Sequence, residues 1–449
     1  VFDRWFGITE QGSTPGREVR AGFTTFLTMS YILLINPAIL GAAIHVPNAQ
    51  PQLLFATAMA SAIGSITMGV VARYPFATAP GMGLNAYFAF TVVLKQGIDW
   101  RIALGAVFVE GIIFFMLSIG GIRQAILNGI PANLKLATTA GIGMFLALIG
   151  MKSCGLVGPD KATYITLGDL HSDAVLVAMF GLLVTAVLMA RRVTGAILVG
   201  ILATTALSIL THAHVYGPPD ALGPFTGLPG GSPVQMPLLP RDIFMAMDVR
   251  GALGMGALAI VFTFLFVEIF DTAGTLIGLA IKAGYIDENG NLPRANQAFL
   301  SDAVATTCGA ILGTSTTTAY IESAAGIEEG GRTGLTAVVV GLLFAASVFI
   351  WPLAAAIPAA ATAPALILVG AMMTFSLSLV QWTDYSETVP VFLTMIAMPF
   401  TYSIANGVSF GIISYVAIKL LSGRARQVHP VSYLLAAVLI ARYIWLAHD

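Results

Sequence analysis

The sequence predicts an all-α polytopic membrane protein with 14 transmembrane segments in a 7+7 inverted repeat, two of them broken. Three observations carry this expectation. Of 449 residues, 57% are hydrophobic and only 10% charged, where a soluble domain carries roughly 25% charged residues. The stretch Phe262 to Gly278, FTFLFVEIFDTAGTLIG, is apolar enough to cross a bilayer and yet holds Glu268 and Asp271. Two further stretches, YPFATAPGMGLNAYFAF from Tyr74 and LGTSTTTAYIESAAG from Leu312, combine apolar composition with residues that oppose a continuous helix.

In chain order the apolar spans fall near 21–40, 53–72, 78–94, 102–119, 133–150, 174–190, 194–211, 252–279, 297–312, 315–328, 333–356, 362–379, 389–404 and 406–421. Each is near the ~20 residues a helical crossing needs, or short because it is interrupted. The positive-inside rule tests this count. With a cytoplasmic N-terminus, fourteen of the 21 Lys and Arg residues lie on the cytoplasmic side, six lie outside, and Arg442 sits in the last apolar segment. That segment, 431–446, is expected to lie at the interface, given Arg442, Tyr443 and Trp445. Residues 1 to 20 are polar, with no apolar stretch of signal-peptide length, so the first span is expected to act as its own insertion signal. The two cysteines, Cys154 and Cys308, read as packed thiols.

The long Pro- and Gly-rich loop after 211 divides the spans into seven and seven. Homologous halves with an odd number of spans enter the membrane in opposite senses, a design common in secondary transporters. VTGAILVGIL from Val193 and IANGVSFGII from Ile404 share a small-residue pattern at the last span of each half.

Spans 3 and 10 are expected to consist of a short strand and a half-helix. Pro75, Pro80, Gly81 and Gly83 forbid a continuous helix in the first, leaving a half-helix from about Gly83. In the second, the threonine run favours extended backbone before a half-helix from about Ala319. Irregular backbone at membrane depth is tolerated where it is buried in protein or lines a cavity. The two breaks are therefore expected to face one midplane site.

Asp271, Glu322, Asn85, Thr275, Gly83 and Ser323 are the candidate substrate-binding residues, and Glu268, Asp271 and Glu322 the candidate proton-coupling ones. A carboxylate at a helix centre costs at least ~2.5 kcal/mol, so such residues mark substrate or proton paths. Glu268 and Asp271, three apart, share a helix face that Thr275 extends. Glu110 reads instead as a packing partner of a threonine or backbone donor, and Asp302 as a cap or interface residue. Phe270, Tyr87 and Phe88 could stack on a ring or simply pack.

Other chemistries lack their residues. All six histidines lie outside the spans, and there is no HExxH or paired-cysteine motif, so no metal or cofactor is expected. GMGLNA at 81–86 lacks the βαβ setting of a dinucleotide fingerprint. No GxSxG elbow or Walker sequence is present, and nothing points to enzymatic activity or nucleic acid. A channel would more naturally show rings of charge or a repeated pore loop.

REVRAGFTTFLTMSYILLINPAIL, ATAPGMGLNAYFAF, FLFVEIFDTAGTLIG and GTSTTTAYIESAAGIEEGGRTGLTAVV together resemble the AzgA-type purine permeases, a branch of the nucleobase-ascorbate transporter superfamily, over about Phe6 to Lys419. The resemblance implies a core domain of residues 17–120 and 252–356, a gate domain of 121–211 and 357–421, an inter-repeat loop over 212–251 and a C-terminal interfacial segment over 422–449. It implies proton-driven, elevator-like uptake of adenine, guanine or hypoxanthine through the cytoplasmic membrane. DTAGTL at 271–276 resembles the segment carrying the substrate carboxylate in related uracil transporters, with Thr275 where those have histidine. ESAAG with GRTG places Glu322 opposite Asp271 and Arg332 at the cytoplasmic end, and Asn85 matches a substrate-binding asparagine of the branch. Glu268 departs from the aspartate more usual in FVDLFDT.

In that reading carboxylates accept purine N–H groups, and protonation neutralises the site for transit. An anion transporter of the same fold and a non-transporting purine sensor remain the alternatives. A homodimer is open, because small-residue faces are too common here to read.

Overall fold

The computed structural model describes residues 2–120, 131–211, 213–215, 232, 234–286 and 292–445. Much of the inter-repeat loop expected over 212–251 lies outside these residues, as do Arg123 and His448, and the side chains of Phe270, Arg442 and Trp445 are not described.

The chain is a multi-pass helical membrane protein. Among the described residues, nine helices are long and apolar enough to cross a bilayer, the first at Pro15–Gly41 and the last at Ile404–Leu421. Met82–Lys95, Ala196–Leu210 and Pro430–Ala441 are shorter apolar helices. Large apolar side chains point outward along these helices, among them Met116, Leu183, Leu342 and Phe410, as suits a lipid-facing surface. The first span is interrupted at Ser30 and Tyr31, between helices Pro15–Met29 and Ile32–Gly41, where Leu33 N and Leu34 N donate three residues back to Ser30 O and Tyr31 O. Pro37 lies within the second of these helices, where it withholds an N–H from the Leu33 carbonyl one turn back.

The residues form two compact units. The first comprises Val1–Ile119 and Gly150–Ala365, the second Gly120–Ile149 and Leu366–Asp449. At the heart of the first unit two short strands meet. β1 (Thr78–Pro80) is followed by helix Met82–Ala86, which continues as a wider π-type helix over Tyr87–Lys95. β1 pairs antiparallel with a strand 237 residues later, at Thr317–Ala319, with Ala79 opposite Thr318 and Pro80 opposite Thr317. The expected half-helix start at Ala319 is corrected here. The threonines stay extended through Ala319, held in register by β1, and the helix begins at Ser323 and runs to Glu328.

The outer edges of this two-stranded ribbon are closed by hydroxyls. Ser65, on helix Ala49–Thr67, accepts a hydrogen bond from Thr78 N at 3.0 Å and donates to Thr78 O at 3.2 Å. Thr306, on helix Ala295–Leu312, does the same for the partner strand: it accepts from Thr317 N at 3.2 Å and lies 2.9 Å from Thr317 O. Because the Thr317 backbone turns to Thr306, the donor missing at Pro80 costs no ladder bond. Close approach needs glycine at the supporting helices. A Cβ at Gly64 would overlap the Thr78 hydroxyl, and one at Gly309 would lie 3.0 Å from Thr317 Oγ1.

In the connection over 151–172, β2 (Val157–Asp160) and β3 (Tyr164–Leu167) form an exposed antiparallel hairpin. Its signal is local: Asp160 Oδ1 accepts from the backbone of Ala162 and Thr163, the habit of an aspartate in a tight turn. The fourth strand, β4, is Thr317–Ala319.

In the second unit, helix Tyr385–Thr401 packs along Ile404–Leu421, and Ala137, Ala140, Val380, Val391 and Met395 form a buried cluster. Lys419, almost fully buried, pairs with Glu387 at 2.8 Å. Helix Pro430–Trp445 is tied to this bundle by Tyr443, whose hydroxyl donates to Asn406 Oδ1 at 2.8 Å.

Candidate functional site

The strand ribbon and helix Met255–Ala283 bring the candidate residues of the first unit together. Thr272 bonds Thr318 hydroxyl to hydroxyl at 2.8 Å, which fixes this helix against β4. One residue earlier, Asp271 is half-buried, and its Oδ2 would lie 3.8 Å from a Cβ built on Gly81. Gly81 carries no side chain, and a Cβ there would crowd Thr318 Cγ2 at 3.0 Å beside Asp271 at the end of β1. Its N–H donates to Thr316 O at 2.9 Å.

Glu322 approaches from the far end of β4. It too is half-buried. Tyr31, fully buried at the break in the first span, donates its phenolic hydroxyl to Glu322 Oε1 at 2.5 Å. Tyr320 donates to Pro80 O at 2.6 Å and ties the β4 end to β1. Among the described residues neither Asp271 nor Glu322 has a Lys, Arg or His ion-pair partner.

Glu268 points elsewhere. It is fully buried and accepts from Thr306 Oγ1 at 2.6 Å. It also interacts with Glu110, whose Oε2 accepts from Thr316 Oγ1 at 3.0 Å. Three residues along a helix turn the side chain by about 60°, which sends Asp271 to one side of β4 and Glu268 to the other. The expected single stripe is therefore two polar clusters. Asn85, fully buried, accepts from the Ser315 hydroxyl in the interior, while its Nδ2 finds no protein partner.

Of the remaining candidates, Ser323 is buried and accepts from Ala77 N at 2.9 Å, so its hydroxyl is engaged in joining the strands. Gly83 is buried within helix Met82–Ala86. Thr275 is half-buried one turn beyond Asp271, and the hydroxyl that reaches β4 is that of Thr272. Asp302 is neither a cap nor an interface residue: it is fully buried within helix Ala295–Leu312 and accepts from Ala319 N at 3.3 Å. Arg332 closes the turn after helix Ser323–Glu328, donating to Ile327 O at 2.6 Å, while its own N–H goes to Glu18 Oε1. Tyr87 and Phe88 are fully buried against Phe264 and so pack rather than stack on a ligand. Tyr31, Thr272, Thr306 and Ser315 had no distinguishing sequence signal beyond being polar in apolar spans.

Among the described residues no group of three or more His, Cys, Asp or Glu could hold a metal ion. What Asp271 and Glu322 offer is acceptor oxygens, suited to a neutral ligand rich in N–H donors or to protons.

The sequence pattern of the permease family, Xan_ur_permease, matches residues 16–410. The chain is similar to the adenine permease AdeP of Escherichia coli, 40% identical over 99% of this chain and 96% of the relative. It is 43% identical to the guanine/hypoxanthine permease PbuG of Bacillus subtilis, over 98% and 99% respectively. A putative permease of Methanocaldococcus jannaschii is 45% identical over 99% and 98%. Among solved structures, the transmembrane domain of a cyanobacterium bicarbonate transporter, BicA, has a similar fold. Its TM-score is 0.61 at 14% identity, covering 90% of this chain and 96% of that one. Murine Slc26a9 in the inward-facing state gives a TM-score of 0.59 at 10% identity, over 91% and 68%.

Proposed function

The chain belongs to the permease family, which makes it a transporter and not an enzyme, and from that premise we propose that it takes up purine nucleobases, adenine, guanine or hypoxanthine, together with protons across the cytoplasmic membrane. The observation that carries this reading is the pair Asp271 and Glu322 at opposite ends of the crossing strands, acceptor-rich and without an ion-pair partner among the described residues. A purine is flat and presents ring N–H donors. Two carboxyl groups can accept these, and a site built to bond an N–H rejects ligands lacking it by a large factor. Relatives named for adenine and for guanine and hypoxanthine support the substrate class.

Proton coupling is read from the same residues. Two carboxylates in one site repel, so sharing or taking up a proton on ligand binding neutralises the site for transit. Glu268 and Glu110, behind the ribbon, form a second carboxyl pair available to protons.

We read the architecture as fourteen spans in two inverted repeats, with the strand-plus-helix segments as broken spans 3 and 10 and the N-terminus cytoplasmic. Repeated internal packing supports it. Ser65 and Thr306 staple equivalent strand residues, each accepting the strand N–H and lying against the same residue's carbonyl oxygen. Gly200 closes on the Thr185 hydroxyl before the last span of the first half, and Gly411 on that of Thr394 before the last span of the second. Spans 1–4 and 8–11 would move as a core against a gate of spans 5–7 and 12–14.

The test is uptake of radiolabelled adenine, guanine and hypoxanthine into proteoliposomes with and without an inward proton gradient, competed by uracil, xanthine and sulfate. Gradient-stimulated accumulation of one purine, competed by purines alone, is expected. Uptake indifferent to the gradient would sink the coupling role, and competition by sulfate would favour an anion transporter. The fold neighbours that move anions show the fold alone, and two carboxylates would repel such a ligand.

A further inference from the structure

We propose that Tyr31 is a positioning residue for the substrate: its hydroxyl holds Oε1 of Glu322 and so presents Oε2 to a ring N–H of the bound purine. This rests on the reading of Glu322 as a substrate residue. The first span is interrupted at Ser30 and Tyr31, after helix Pro15–Met29, and the chain resumes as helix at Ile32. Tyr31 sits at this break, fully buried. A buried phenol needs a hydrogen-bond partner, and the one it has is Glu322 Oε1 at 2.5 Å, 291 residues away.

A glutamate side chain has three rotatable bonds and two equivalent oxygens. Left alone, it would present either oxygen in several orientations and lose that freedom when a ligand binds. Among the described residues Tyr31 is the only side-chain donor to this carboxyl. A phenol has a single O–H to donate, whereas a carboxylate accepts at both oxygens. The contact therefore fixes the group without saturating it. Thr28, one turn earlier on the same span, lies with its hydroxyl 3.5 Å from the Glu322 carbonyl oxygen, so the first span reaches both the side chain and the backbone of this residue. The half-buried state of Glu322, beside the fully buried Tyr31, fits one engaged oxygen and one left for a ligand.

The experiment compares wild type, Tyr31→Phe, Glu322→Gln and Ser30→Ala in proteoliposomes, measuring KM and Vmax for radiolabelled adenine, guanine and hypoxanthine, normalised to reconstituted monodisperse protein. Tyr31→Phe removes one oxygen and keeps the ring, so packing is preserved. Ser30 bonds only within its own turn and reports on general disturbance of the break. Losing a hydrogen bond to a charged group should raise KM about tenfold or more in Tyr31→Phe, with Vmax held within about twofold and Ser30→Ala close to wild type. A KM within about twofold of wild type in Tyr31→Phe, while Glu322→Gln is impaired, overturns the positioning role and leaves the site reading intact. A fall in Vmax at unchanged KM, or an equal effect of Ser30→Ala, overturns it as well, because either marks a structural role. Wild-type behaviour of Glu322→Gln would remove the site reading itself.

Discussion

Replacing Ser65 with alanine isolates what the hydroxyl staple contributes. Ser65 Oγ is the acceptor for Thr78 N–H at 3.0 Å and a donor to Thr78 O at 3.2 Å, and both residues are fully buried. No water-filled surface is at hand to replace the serine. An orphaned buried N–H costs about 1–3 kcal/mol, and the lost bond to the carbonyl adds about 0.5–1.5 kcal/mol. The expected loss is about 2–4 kcal/mol, or roughly 30- to 1,000-fold in the folding equilibrium. An ordinary side-chain hydrogen bond between membrane helices averages only about 0.6 kcal/mol, because the unfolded chain in the membrane finds other partners. The two expectations are well separated. Reversible unfolding of the purified protein in mixed micelles of mild detergent and SDS measures the difference. Thr306→Val should fall in the same range or lose more, since it also strips Glu268 of a donor, and Thr306→Ser should be nearly neutral. A Ser65→Ala loss at or below about 0.6 kcal/mol would refute the claim that these hydroxyls complete the strands.

Three other outcomes are expected. Gly81→Ala places a methyl 3.0 Å from Thr318 Cγ2 and 3.8 Å from Asp271 Oδ2, so it should cost about 1 kcal/mol in stability but raise KM for the transported purine; equal KM would mean the space beside Asp271 is not used. Glu18 is fully buried and accepts from Arg332 N at 3.0 Å, Thr333 N at 3.1 Å and Thr336 Oγ1 at 2.6 Å. Glu18→Ala should therefore destabilise by about 3 kcal/mol or more in the same unfolding assay, because three donors lose their acceptor together. Asp384 caps helix Tyr385–Thr401, and the Ser386 N–H, aided by the Ser386 hydroxyl, Arg424 and Lys419, holds its carboxyl below the usual range. A depressed folded-state value stabilises above the ordinary aspartate value of ~3.9 and is lost as pH falls through the lower folded one. The melting-temperature advantage of wild type over Asp384→Asn should be present at neutral pH and narrow in acid.

The membrane class was legible from composition, because a chain with so few charges cannot cover a water-soluble surface. The reason for extended backbone was legible too: Pro75 and Pro80 forbid helix before Gly81, and threonines 316 to 318 prefer strand. What the sequence could not supply was partnership. That Ala79 lies opposite Thr318, or that Tyr31 reaches Glu322, depends on contacts across hundreds of residues that leave no local trace. The stripe of Glu268, Asp271 and Thr275 illustrates the limit of helical periodicity. Spacing places residues on a face, but the narrow β4 strand divides that face, so Glu268 and Asp271 are sent to different neighbours and Thr272 becomes the residue that touches the strand. The Asp302 reading failed for a related reason, since nothing in a single helix says that a strand will run alongside it.

The two staples are not equal, and the inequality lies in one hydrogen atom. The Ser65 hydroxyl serves Thr78 alone, whereas the hydrogen on Thr306 Oγ1 has two claimants: Glu268 Oε1 at 2.6 Å and Thr317 O at 2.9 Å. The contact with Glu268 is the shorter, so the Thr317 carbonyl shares its hydroxyl with a side chain of another helix. One rail of the ribbon is thus held by a hydroxyl of its own, and the other by a hydroxyl that a buried carboxyl group also claims.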